Sequence, residues 1–132
     1  MYEMKPEYYI GIDSIDQEHT RLFDLARETH DLLNDNMLHD KTERLESLLS
    51  ELIDYTKTHF AHEEAYMESI GYARISAHKT LHRTFEESLI SFDLNKAVEN
   101  GEQDEAVEGL LAFLSSWLIK HIQKVDMLYA RQ

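Results

Sequence analysis

Thr58-His59-Phe60-Ala61-His62-Glu63 is the stretch on which the fold turns. It lies in a run from about Thr42 to Ser69 that holds neither proline nor glycine and reads as one long helix. Residues four apart in a helix lie ~6 Å along the axis and ~40° round it, so His59 and Glu63 project from one face. Traced backwards, that face carries Leu45, Leu48, Leu52 and Tyr55, and traced forwards Met67 and Ile70. A histidine and a carboxylate therefore stand where a core-facing helix carries leucines. An isolated buried ion costs several kcal/mol unless it is paired or bound to a metal. Further donors are therefore expected elsewhere in the chain.

Composition sets the frame. The chain has 132 residues, enough to bury a real core and short enough to predict one domain. One proline and four glycines permit long helices nearly everywhere. Cysteine is absent, which excludes a disulfide framework, thiolate metal sites and a thiol nucleophile. No apolar run approaches the ~20 residues of a membrane span, and Met1–Ile10 does not read as a signal peptide, so a cytoplasmic protein is expected. A net charge of −13 opposes nucleic acid and anionic membranes as partners.

Outward from the central helix the other elements fall into place. Residues 1–12 read as an N-terminal arm, with Pro6 disfavouring helix before it, Gly11 marking a turn, and Tyr2, Tyr8, Tyr9 and Ile10 to bury. A first helix is expected near Ser14 or Asp16, either a candidate cap, with the stripe Ile15, His19, Leu22, Ala26, Leu33 and Phe23 beside it. Asn34-Asp35-Asn36 marks its end, and Gly71 marks the end of the second helix. A third, from about Ala73 or Ser76 to before Asn100-Gly101, carries Ile75, His78, Leu81/His82, Phe85 and Leu89, with a weak point at Phe92–Asn95. A fourth, from about Asp104, carries Val107, Leu110/Leu111, Leu114, Leu118, His121/Ile122, Val125 and Leu128. Short connections between four helices predict an all-α, antiparallel up-down-up-down four-helix bundle over about residues 14–130.

All four inward faces carry donors: His19, then His59 and Glu63, then His78 and His82, then His121 and Asp126. Early on the first and third helices and late on the second and fourth is one level of an up-down bundle, so they predict one cluster. Five histidines and two carboxylates exceed what one metal needs. Two ions sharing Glu63 and Asp126 use all seven. His30, His39 and His62 lie off that face or level and read as surface or rim. One spacing resists: His121 and Asp126 are five apart, which a regular helix separates by ~140°. Either a π-type bulge or two ions approached from different angles resolves it.

These residues resemble the hemerythrin family along nearly the whole chain. The motifs are Ile15-Asp16-Gln17-Glu18-His19 with Leu22-Phe23, His59-Phe60-Ala61-His62-Glu63-Glu64, His78-Lys79-Thr80-Leu81-His82, and Trp117-Leu118-Ile119-Lys120-His121-Ile122 ending at Asp126. The tyrosine-rich arm also looks like the family's. The resemblance implies two iron ions with an oxo or hydroxo bridge: His78, His82 and His121 on one, His19 and His59 on the other, Glu63 and Asp126 bridging. It implies that dioxygen binds reversibly at an open position of the two-histidine iron, with Leu22, Phe60, Trp117, Leu118 and Ile122 as an apolar pocket. The expected activity is non-enzymatic oxygen storage, delivery or sensing. The competing expectation is a di-iron enzyme that scavenges peroxide or nitric oxide. An electron donor that re-reduces the ferric form is the expected protein partner. Glu18 and Thr20 beside His19 depart from the basic or glutamine residues frequent there, and Tyr129 reads as core or as support to the site.

Overall fold

The computed structural model describes residues 2–35 and 42–130, with the side chains of Leu94 and Asn95 excepted. Four long helices take the expected order: α1 (Asp13–Leu33), α2 (Thr42–Ser69), α3 (Ile75–Ile90) and α5 (Gln103–His121), with a short α4 (Leu94–Glu99) before the last. A π turn (Ile122–Asp126) and a final turn, α6 (Met127–Ala130), continue α5. No strand occurs among the described residues. Asn36 and His39 lie outside them.

The cross-contacts give the topology. Glu18 meets His59 and Arg21 meets Glu51; Glu64 meets His82 and Glu68 meets Lys79; Phe85 meets Trp117 and His78 meets His121; His30 meets Glu108 and His19 meets Asp126. Within each helix pair one residue number falls as the other rises, so all neighbours run antiparallel, up-down-up-down. Between them lies one apolar cluster that includes Leu22, Phe23, Leu25, Leu45, Leu52, Met67, Leu111 and Leu114, all nearly solvent-free. Truncating one such leucine to alanine costs ~2–5 kcal/mol.

Several boundaries depart from the sequence expectation, each for a local reason. Helix α1 begins at Asp13 with no side-chain cap. Asp16 instead turns its carboxylate back onto the arm, accepting from the Ile10 N–H (2.9 Å) and the Gly11 N–H (3.1 Å). Gly11 sits at φ 92°, where a Cβ would be strained, and this lets the arm fold back. A 3₁₀ turn, Pro6–Tyr8, then an extended stretch, alternates Tyr8 and Ile10 inward and Tyr9 outward, so Tyr9 is exposed rather than buried. The third helix does not reach Asn100. It stops at Ile90, and Asp93 opens α4 by accepting from the Lys96 N–H (3.1 Å). Leu81 and Leu128, placed on inward faces by periodicity, are 41% and 47% exposed. Leu81 yields its place to His82, and Leu128 is carried outward by the π turn.

Candidate metal centre

The seven donors expected from the sequence all converge. His19 comes from α1, His59 and Glu63 from α2, His78 and His82 from α3, His121 from the end of α5, and Asp126 from the end of the π turn; each is at most 4% exposed. Glu63 lies within 3.0 Å of His59 Nε2, 2.8 Å of His78 Nε2, 3.3 Å of His82 Nε2, 3.7 Å of His19 Nε2 and 3.8 Å of His121 Nε2. Asp126 lies 3.2 Å from His19 Nε2 and 3.0 Å from both His78 Nε2 and His121 Nε2. Glu63 thus faces two groups at once, His78/His82/His121 and His19/His59, each compact enough to hold one ion.

The π turn brings Asp126 into this set. Its i→i+5 bonding places residues five apart on one face, as an α-helix does for residues four apart. The same turn rotates the last helical turn, α6. Tyr129 becomes fully buried and Leu128 leaves the core, a register that straight 3.6-residue periodicity does not give.

Whether these donors suit metal ions is answered by their unmet polar atoms. Elsewhere in the core, buried hydroxyls are satisfied: Thr29 donates to the Leu25 carbonyl and Thr56 to that of Leu52, both at 2.8 Å. Among the described residues, the buried side-chain atoms without a hydrogen-bond partner are both nitrogens of His19, both oxygens of Glu63, both oxygens of Asp126, His78 Nδ1 and the Tyr129 hydroxyl. The short N···O separations between these groups do not have hydrogen-bond directions. The Nε2 atoms of His78 and His82 lie 2.9 and 3.1 Å from that of His121. Donors ~2.1 Å from one ion and at right angles to each other stand ~3 Å apart, the spacing seen here. Three ring nitrogens at this spacing, beside carboxylate oxygens and His19 nitrogens that have no hydrogen-bond partner, fit metal ions better than they fit one another.

The charges agree. Burial pushes the Glu63 carboxyl up, but contact with His121, His19, His59 and His78 outweighs it and holds the group well below the carboxylate range. Burial and the neighbouring Glu63 raise Asp126, and His121 and His19 bring it back below its usual value. Burial lowers His59 and His78, but Glu18 and Glu63 for the first, and Asp126 and Glu63 for the second, lift each to about 9. Without metal the site therefore holds its carboxylates ionised and these imidazoles protonated.

Two supporting carboxylates were not assigned from sequence. Glu18 Oε1 lies 2.8 Å from His59 Nδ1 and Glu64 Oε2 lies 2.8 Å from His82 Nδ1. A carboxylate only accepts, so each neutral ring carries its proton on Nδ1 and aims the Nε2 lone pair inward. The unusual residue at position 18 is thus a working contact. Its other oxygen meets the exposed His62, which is on the rim as expected, while His30 is half-buried and paired with Glu108 at 2.9 Å. Of the apolar residues expected around the site, Leu22, Phe60, Leu118 and Ile122 are buried and Trp117 is half-buried. The Phe60 ring stacks on His82 (3.8 Å, 2°) and the Trp117 ring on His121 (4.3 Å, 13°), so the aromatic pair clads the three-histidine group. Tyr129 packs its ring 5.7 Å from that of His78, and its phenol is raised by burial and by Glu63 and Asp126.

Comparison with known proteins reaches the same place. The model of the hemerythrin HHE cation binding domain matches residues 10–132. A bacteriohemerythrin of Clostridium acetobutylicum is 34% identical over 129 residues, 98% of either chain. One of Stenotrophomonas maltophilia is 35% identical over 93% of this chain and 75% of its own. A crystal structure of wild-type hemerythrin superposes with a TM-score of 0.71 at 31% identity, covering 91% of this chain and 87% of that one. A hemerythrin point mutant superposes at 0.77 with 29% identity, covering 99% and 97%. Convergent donors, a four-helix scaffold and full-length likeness together make this chain a member of the hemerythrin family.

Proposed function

We propose that this protein binds dioxygen reversibly at a pair of iron ions held by His19, His59, Glu63, His78, His82, His121 and Asp126. The observation that carries the reading is a pair of buried donor groups that share Glu63, in which both oxygens of Glu63 and of neighbouring Asp126 and both nitrogens of His19 lack a hydrogen-bond partner. His78, His82 and His121 would hold one ion and His19 and His59 the other, with Glu63 and Asp126 as the carboxylates available to both. The iron pair, when bound, supplies two electrons that can be lent to a ligand and taken back. The chain's own residues do the rest. Glu18 and Glu64 hold the rings of His59 and His82 through Nδ1, so that each Nε2 already faces the ion site and gives up any proton it carries as metal binds. Buried Leu22, Leu118 and Ile122 help to keep the site dry, and Phe60 and Trp117 cover the three-histidine group. Exclusion of water slows loss of a charged oxygen species and restricts proton access.

The donor set favours binding over bond cleavage. Five neutral imidazoles and two carboxylates give the ions less negative charge than carboxylate-rich di-iron sites built on paired Glu-x-x-His motifs. Among the described residues no helix is long and apolar enough to cross a membrane, and we place the protein in the cytoplasm.

Metal analysis with absorption spectra under air and after anaerobic reduction tests this reading. Two iron ions per chain and an oxygen-dependent charge-transfer band that disappears on deoxygenation are expected. One ion or none, after careful reconstitution, overturns it. Fast consumption of peroxide or nitric oxide with no stable oxygenated form assigns the protein to scavenging instead.

A further inference from the structure

The charge of this chain is unevenly spread. The segments Ser69–Phe85 and Gly109–Val125 contain none of its 26 acidic residues and five of its 13 basic ones, Arg74, Lys79, Arg83, Lys120 and Lys124. These segments supply most of α3 and α5, antiparallel neighbours in the bundle. Their shared outer surface is apolar. One shallow hollow is lined by Leu81, Trp117, Lys120, His121, Lys124 and Val125, and an adjoining one by Tyr72, Arg74, Ala77, His78, Leu81, Val125 and Leu128. Leu81 and Leu128 are 41% and 47% exposed, and Phe113 near by is 45% exposed. Among the described residues, Arg74, Lys120 and Lys124 have no carboxylate partner.

Beneath that surface runs a column of stacked rings. Exposed Phe113 stacks on Phe85 (5.5 Å, 26°), Phe85 on Trp117 (3.9 Å, 9°), and Trp117 on His121 (4.3 Å, 13°). The floor of the hollows is His78 and His121 themselves. No other described surface combines apolar hollows, unpaired cations and direct contact with the donor cluster.

We propose that this α3–α5 face docks a small, acidic one-electron carrier protein that re-reduces the metal pair, with the Trp117–His121 stack as the electron path. The proposal rests on the di-iron reading above. Each encounter oxidises one carrier by one electron and reduces one ferric ion to ferrous; two encounters restore the ferrous pair, and water supplies the protons taken up by the bridging oxygen. Charge complementarity selects the occupant. A chain of net charge −13 repels an acidic protein over most of its surface, and the α3–α5 face, whose own segments carry no acidic residue and three unpaired cations, is where that repulsion is relieved. That face is small, as suits a transient electron-transfer encounter rather than a permanent interface.

Two measurements test it. Ferric, iron-loaded protein is mixed anaerobically with reduced plant-type [2Fe–2S] ferredoxin, an acidic carrier, at low ionic strength. Both Lys120→Glu/Lys124→Glu and, on the other wall, Arg74→Glu are expected to lower the second-order rate by about tenfold and to flatten its salt dependence. Reduction by a small uncharged reductant stays unchanged. Separately, carbodiimide coupling to the same ferredoxin, which needs no iron, is expected to join its carboxylates to Lys120 and Lys124 rather than to Lys5, Lys57 or Lys96. Coupling spread over all lysines, rates indifferent to the charge reversals, or a homodimer cross-linked through this face overturns the proposal. The coupling result stands whether or not iron binds, and iron content stands whether or not the carrier docks.

Discussion

Glu63 touches all five imidazoles of the cluster, and its removal differs in kind from that of any one of them. Glu63→Gln keeps the volume and deletes the charge shared by both donor groups, so bound iron is expected to fall toward zero by metal analysis. His78→Ala strips one group only and is expected to leave content well below two but not at zero; full occupancy in that variant removes His78 from the site. Glu18→Gln acts one step further out. The amide still reaches His59 but no longer compels the Nδ1 proton, and iron affinity measured by chelator competition is expected to drop about 10–100-fold. The inward placement of His19, His59, Glu63, His78, His82 and His121 was legible in the sequence because helical spacing puts them on inward faces at one level, whereas Asp126 was legible only as a misfit of spacing that the π turn resolves. Glu18 and Glu64 were not, because their contacts cross from helix to helix, and only the packing of α1 on α2 and of α2 on α3 brings each to its ring.

At the scale of the element, the π turn carries the sharpest expectation. His121 and Asp126 need it because they are five apart. Deleting exposed Gln123 makes the spacing four, which a plain α-helix satisfies, so iron content is expected to survive while the bulge disappears from a crystal structure. Inserting one alanine after Gln123 makes the spacing six, turns the carboxylate away, and is expected to reduce bound iron. Loss of iron in the deletion, or full iron in the insertion, contradicts this account of the turn. Helix α2 was legible to the residue, bounded by an apolar stripe and Gly71. The end of α5 was legible only as a conflict, since a 3.6-residue period cannot serve both Asp126 and Leu128. The break after Ile90 escaped because Phe92–Asn95 weakens a helix without stopping it, and the Asp93 cap depends on where the next turn begins.

For the whole molecule, the donor cluster is a store of protons when it holds no metal. His59 and His78 stand near 9 in the folded chain, against ~6.5 when unfolded. A raised value stabilises the fold fully below the unfolded value, and the benefit is lost as pH climbs through the folded one. Metal-free protein is therefore expected to melt at progressively lower temperature from pH 6.5 to 9, whereas metal-loaded protein, whose rings are held neutral, lacks that slope; thermal scans of both forms across this range decide it. Metal uptake at pH 7 should also release protons, measurable in weakly buffered solution. The N-terminal arm has a consequence of its own. Tyr8 lies flat against Phe23, and the Asp16 carboxylate, only 5% exposed, takes its two hydrogen bonds from the arm's backbone. A chain trimmed to start at Ile12 strands that carboxylate one turn from His19, so the cut, which removes no donor, is expected to let water in beside the cluster and to weaken its hold on iron in chelator competition.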